Sequence, residues 1–167
     1  MTNPMRTETR PEAPTDIPPG FAPLRMGGGF MALNGPLYLL HEGEQVLLGF
    51  RVEKRHCNPL ANCHGGMLAT FADMLLPVSV HRKRPDIGMR FLPTINLQLD
   101  YLAPSPLGAW VQGEAQVLRA TRSLVFVQGL ITADGEPAVR MSGIFKIGPP
   151  FAGPGADTMA GRSANPA

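Results

Sequence analysis

Charge is scarce in this chain. Of its 167 residues only 17% are Asp, Glu, Lys or Arg, and the formal net charge is +2. A basic face able to track a phosphate backbone is therefore unsupported, and no nucleic-acid partner is expected. Cysteine is scarcer still. Cys57 and Cys63 stand alone, too few for a zinc set or a disulfide framework, so they read as two free buried thiols. No apolar run is long and uninterrupted enough to span a bilayer, and the N-terminal MTNPMRTETRPEAPTDIPPG lacks the apolar centre of a signal peptide. The expectation is a soluble cytoplasmic protein with no membrane partner and no metal. Residues 1–20 also carry no helical period, which removes a fused DNA-binding helix pair.

What is present is a 44% hydrophobic content, enough for one well-filled core in a chain of one-domain length. The first twenty residues are rich in Pro, Thr and Glu without apolar periodicity, and the last seventeen, FAGPGADTMAGRSANPA, are small and polar after a Pro149-Pro150 pair. The division is a flexible arm over 1–20, a folded domain over 21–150 and a flexible tail over 151–167.

Inside the domain, turns at Gly35-Pro36 and at Glu42-Gly43-Glu44 flank short strands, with Val46, Leu48 and Phe50 alternating up to Val52. From Gly65 the period changes. Met67, Leu68, Phe71, Ala72, Leu75 and Leu76 recur at three- and four-residue steps, while Met74 and Val78 fill the gaps between them. A helix apolar nearly all round belongs in the middle of a domain. Pro77 removes one intrahelical N–H and predicts a kink or an early end there. His81, Arg82, Lys83 and Arg84 suit a helix C-terminus, and Pro85 stops the helix. The period then drops to two. Ile95, Leu97, Leu99 and Tyr101 fall on one face, and Thr94, Asn96, Gln98 and Asp100 on the other. Three more strands follow over 110–118, 123–132 and 138–147. The fold class is α+β, an antiparallel sheet of about five to six strands wrapped around one central helix.

The chemistry-bearing residues crowd one strand-to-helix turn, Asn-Pro-Leu-Ala-Asn-Cys-His-Gly-Gly-Met-Leu-Ala-Thr-Phe-Ala-Asp over 58–73. There Asn58, His64 and Asp73 interrupt an otherwise apolar run. An acid placed among Phe71, Ala72, Leu75 and Leu76 needs a partner or a task.

With these residues in order, the chain from about Phe30 to Gly148 resembles the hotdog-fold acyl-CoA thioesterase superfamily, in its phenylacetate-pathway, PaaI-like branch. The likeness rests on Asn58, on His64-Gly65-Gly66, on Asp73 nine residues after the His, and on the Thr94 strand ending in Tyr-Leu-Ala-Pro. It implies the hotdog fold and hydrolysis of an acyl-CoA to free acid and coenzyme A, with CoA as part of the substrate and no separate cofactor. It also implies a homo-oligomer, either a dimer or a dimer of dimers joined edge to edge, in which Asp73 acts on substrate held partly by the other protomer. Relatives place Gly three residues before the His where this chain has Ala61, so either the loop turns differently or Ala accepts the strain.

By the same resemblance, Gly65 supplies the backbone N–H that polarises the thioester carbonyl at the positive end of the helix, and Gly66 serves close packing. Asp73 is the general base that activates water, or the nucleophile that forms an anhydride. Asn58 holds the water or the thioester, or else caps a turn. His64 orients the loop or meets the leaving sulfur. Thr94 assists the water across the dimer, or is simply a strand-favouring residue. Arg119, Arg122, Arg82, Lys83 and Arg84 are the candidates for the CoA phosphates, one or two of them in contact. Phe71, Met74 and Met89 are candidate liners of the acyl pocket. Two other functions stay open, a non-catalytic acyl-CoA binding module and a hotdog-fold hydratase or dehydratase.

Overall fold

Residues 16–24 and 29–150 are described by the computed structural model. Most of the expected arm, residues 1–15, and the whole tail over 151–167 lie outside the described residues. In chain order the elements are β1 (Ala22–Leu24), α1 (Gly29–Asn34), β2 (Leu37–Glu42), β3 (Gln45–Arg51), α2 (Gly65–Lys83), β4 (Thr94–Tyr101), β5 (Trp110–Ala120), β6 (Leu124–Ala133) and β7 (Glu136–Lys146). Short 3-10 turns occupy Lys54–His56 and Pro85–Ile87.

Among the described residues all strand pairs are antiparallel, and seven strands form one sheet in the order β1-β2-β3-β5-β6-β7-β4. This is the α+β hotdog-like architecture, with two strands more than the lower sequence expectation. One addition is β1, which is too short to carry a period. The sheet curls around α2, whose Phe71, Ala72, Leu75, Leu76 and Val80 are fully buried. Phe71 packs its ring against Phe50, centroids 5.0 Å apart, so it is core and not a pocket liner. Each such aromatic or aliphatic side chain contributes about 1.5–3 kcal/mol by leaving water.

Helix α2 does not end early at Pro77. It runs through to Lys83, Pro77 included, because Leu75, Leu76, Val78 and Val80 are buried on either side of it. Their combined burial exceeds the roughly 3 kcal/mol that an interior proline costs.

Three glycines stand in line on the inner face of the sheet. Gly113 on β5, Gly129 on β6 and Gly143 on β7 step diagonally across the inner face, because Gly113 pairs with Ile131, Ala115 with Gly129, and Val127 with Gly143. A methyl group on Gly113 would lie 2.6 Å from the Leu75 side chain, and one on Gly143 would lie 2.9 Å from Leu76. The missing side chains of Gly113 and Gly143 make room for α2, whereas a methyl group on Gly129 would meet the Glu114 carbonyl at 2.3 Å and the Met141 side chain at 2.5 Å.

Among the described residues strand β4 stands at one sheet edge and pairs only with β7. Its register skips from Thr94↔Phe145 to Asn96↔Ile144, leaving Ile95 as an unpaired bulge residue. Among the described residues no helix is long and apolar enough to cross a membrane.

Candidate active site

Helix α2 begins where the 58–64 loop returns from a tight turn. Asn58 Oδ1 accepts from the N–H groups of Leu60 at 2.9 Å and Asn62 at 3.2 Å, which shapes the turn as an Asx-type cap. Ala61 in that turn has φ 56°. Alanine thus takes the left-handed conformation that glycine would take without strain.

His64 caps the helix, its Nδ1 accepting from the Gly66 N–H at 2.9 Å. A methyl group on Gly66 would sit 3.0 Å from that same Nδ1, so the absent side chain makes room for the cap. The two glycines consequently differ. The Gly66 N–H is taken by His64, whereas the Gly65 N–H makes no hydrogen bond among the described residues and stays available at the positive end of α2. The Gly65 carbonyl accepts from Tyr101 Oη at 2.8 Å, tying the helix start to the end of β4.

Two clefts flank this helix end. One, of about 370 Å³, is lined by Asn58, Gly65, Leu68, Tyr101 and Ser105 among others. The second, of about 330 Å³, is lined by Phe30, His56, His64, Met67 and Thr70 among others. The first brings together Asn58 and Gly65; His64 faces the second.

Asp73 lines neither of these clefts. It lies eight residues along α2 from Gly65, about 12 Å at the helical rise, half-buried on the stripe of Ala69, Thr70, Met74 and Pro77 that the sheet leaves partly open. Its Oδ1 accepts from Thr94 Oγ1 at 2.6 Å. Thr94 therefore meets the acid within its own chain. The bulge at Ile95 makes this possible, since strict alternation puts Thr94 on the face opposite Tyr101.

The five basic candidates stand on two separate parts of the chain. Arg82, Lys83 and Arg84 close α2, about 25 Å along the helix from Gly65. Arg119 and Arg122 are exposed at the end of β5 and in the turn after it. His81 Nε2 near the helix end donates to the Arg90 carbonyl, 2.9 Å away, and the Ile147 N–H donates to the Ser123 carbonyl beside Arg122. Arg84 is already engaged, forming a two-pronged pair with Asp86 at 2.8 and 2.7 Å. Met74 and Met89 are half-buried.

Sequence reasoning missed His56. It is 3% exposed, and its Nδ1 accepts from the Glu53 N–H at 3.0 Å, so the neutral ring carries its proton on Nε2. Among the described residues that Nε2 has no partner at hydrogen-bond geometry. Burial, reinforced by the Arg55 charge, lowers the pKa of His56 below the ordinary imidazole value. Burial likewise pushes the Cys63 thiol up to about 12, aided by neighbouring Cys57. Among the described residues no group of three or more His, Cys, Asp or Glu is placed to hold a metal.

The family described as the thioesterase superfamily matches residues 60–139, from the Asn58 turn's end to β7. A Pseudomonas aeruginosa protein named "Putative esterase" is 25% identical over 135 residues, 79% of this chain and 98% of its own length. Human acyl-coenzyme A thioesterase 13 is 26% identical over 85 residues, which are 49% of this chain and 56% of that protein. Among solved structures, zebra fish thioesterase superfamily member 2 superposes with a TM-score of 0.64 at 22% identity, covering 73% of this chain and 88% of the other, a likeness of fold.

Proposed function

We propose that this protein is an acyl-CoA thioesterase of the PaaI-like branch, active as a homo-oligomer in which each site is shared between two copies. The observation that carries the reading is the Asp73 carboxylate. It sits half-buried on an otherwise apolar helix, one oxygen held by Thr94 at 2.6 Å and the other without a protein partner among the described residues. An acid so oriented has one oxygen free to take a proton from water.

The thioester carbonyl would rest against the Gly65 N–H, which the His64 cap leaves unused and which has the positive helix end behind it. As water attacks, charge grows on the carbonyl oxygen at that N–H. Asp73 removes the proton from the water, and the sulfur of CoA leaves as the carbonyl re-forms. The alternative, attack by Asp73 itself to form an anhydride, uses the same placement.

Two distances argue for a shared site. Gly65 and Asp73 of one chain are about 12 Å apart along the helix axis, too far to act on one carbonyl. Arg82, Lys83 and Arg84 at the helix end are farther still. Two copies with α2 antiparallel would set the Gly65 end of one against the Asp73 and Arg-rich part of the other. Strand β4 is suited to such a contact, with Ile95 58% and Tyr101 53% exposed on an unpaired sheet edge.

The test is thiol release from phenylacetyl-, benzoyl-, short- and medium-chain acyl-CoA thioesters by the native protein and Asp73→Asn at equal folded content. The expected result is turnover on one acyl class that falls by about a hundredfold or more in the variant. Binding of acyl-CoA without release of thiol from any substrate would replace this reading with a non-catalytic binding module.

A further inference from the structure

Cys57 and Cys63 face each other across the base of the Asn58–Asn62 turn as an antiparallel bridge pair. The bonds on either side of them run from the Asn58 N–H to the Asn62 carbonyl, 2.8 Å, and from the His64 N–H to the His56 carbonyl, 2.7 Å. The cysteines' own N–H groups go elsewhere, to the Lys54 and Ser105 carbonyls. That pattern makes them a non-hydrogen-bonded pair, the position in an antiparallel ladder where Cα atoms stand about 4.5 Å apart and side chains leave the same face. A disulfide requires a Cα separation of about 4.4–6.8 Å. Both thiols are free in this structure, their sulfurs turned to weak contacts with the Glu53 carbonyl at 3.4 Å and the His64 carbonyl at 3.9 Å.

We propose that Cys57 and Cys63 form a reversible intrachain disulfide on exposure to a hydroperoxide, locking the turn that carries Asn58 against the start of α2. Cys57, the half-buried member, reacts first. Its thiolate attacks a peroxide oxygen, the O–O bond breaks, and water or an alcohol leaves, giving a sulfenic acid at Cys57. The Cys63 sulfur then attacks the Cys57 sulfur, the S–S bond forms, and the hydroxyl departs as water with the Cys63 proton. Two thiols lose two electrons in all, and one peroxide is reduced. The roles follow from burial. Cys63 is 5% exposed and its thiol stays protonated at neutral pH, which suits it to resolve and not to attack first. A small dithiol reverses the bond by exchange.

The cross-link would sit between the two groups that flank it in sequence, Asn58 on one side and His64-Gly65 on the other. A disulfide prefers a Cα separation of about 5.5–6 Å, so closing the bond shifts the paired segments and with them the Asn58 amide relative to the Gly65 N–H. The consequence for turnover rests on the thioesterase reading; the disulfide itself does not.

The test exposes the full chain to hydrogen peroxide, alkylates it and digests it with trypsin. Both cysteines lie on one tryptic peptide, from His56 to Arg82. The expected product is that peptide lighter by two hydrogens, unalkylated, and restored to two alkylated cysteines by dithiothreitol. Cys57→Ser and Cys63→Ser, each checked for folding by circular dichroism, should both fail to give it. Full alkylation after peroxide, over-oxidation of Cys57 alone, or cross-links only between chains would overturn the proposal. Thiol release by the same samples should fall about tenfold on oxidation, the scale of a slightly misplaced donor, and recover with dithiothreitol. Turnover unchanged in the fully cross-linked protein would overturn the locking of the turn. A protein inactive on every thioester before oxidation would sink the thioesterase reading, while the mass of the peptide would still decide the disulfide.

Discussion

Thr94 and Tyr101, seven residues apart on β4, both donate hydrogen bonds to α2, the first to the Asp73 carboxylate at 2.6 Å and the second to the Gly65 carbonyl at 2.8 Å. An odd spacing on a regular strand would send them to opposite faces. The unpaired Ile95 absorbs the difference: Thr94, Leu97, Leu99 and Tyr101 are paired with Phe145, Gly143, Met141 and Val139, all on the helix side. The bulge thus lets one strand hold both the Gly65 start of α2 and its Asp73 carboxylate.

Replacing Thr94 by Val removes the donor to Asp73 and keeps the shape. A hydrogen bond to a charged group is worth about 1.5–3 kcal/mol, so turnover should fall roughly 10- to 100-fold. Thr94→Ser should retain most activity. Equal turnover in the Val and Ser variants would remove Thr94 from the mechanism.

Ala61→Gly should stabilise the protein. Relief of the left-handed backbone at φ 56° is worth about 1 kcal/mol or more, partly offset by the larger entropy of glycine in the unfolded chain. A gain of about 0.5 kcal/mol is expected as a higher urea midpoint at unchanged slope. A lower midpoint would mean the loop does not take this turn.

Two histidines make stability depend on pH. His56 is held below the ordinary imidazole pKa by burial and Arg55, and His81 by burial first and Arg82 as well, against the opposing pull of the Arg90 carbonyl. A depressed folded pKa means that the unfolded chain takes up protons first as pH falls. Stability is therefore complete above about pH 6.5, the unperturbed histidine value, and declines below it. Urea midpoints at pH 7.5 and 5.5 should differ, the acidic one being lower, and His81→Gln should narrow the gap. Identical midpoints would show that both rings take up protons in the folded state as readily as in the unfolded chain.

Ile95→Lys places a charge on the exposed sheet edge without touching the core. If β4 joins two copies, the variant sediments as a smaller species than the native protein and loses thiol release in parallel. An oligomer of native size with native turnover would place the shared interface elsewhere.

The sequence makes the central helix legible because its apolar residues recur at the helical step, and β4 to β7 because alternation and turn residues bound them. It does not reveal the Ile95 bulge, since one extra residue changes no composition, so Thr94 is assigned to the wrong face. Nor does it reveal β1 and α1. Three residues cannot show a period, and the six of α1 bury none of their side chains. Pro77 misleads for an energetic reason, as a local rule is outweighed by packing around it. At the site, Asn58, His64, Gly65 and Asp73 stand out as polar or flexible residues in an apolar stretch. His56 does not, because a single His between Arg55 and Cys57 carries no pattern, and only the fold buries it.

The diagonal of Gly113, Gly129 and Gly143 has an evolutionary consequence. They carry no functional group, yet a side chain on Gly113 or Gly143 would press on Leu75 or Leu76 of α2, and one on Gly129 would meet the Glu114 carbonyl and the Met141 side chain. Under random mutation and selection for turnover, they should drift as little as Asp73 itself. A map of tolerated substitutions would then trace a bare line across three strands, a constraint set by shape alone.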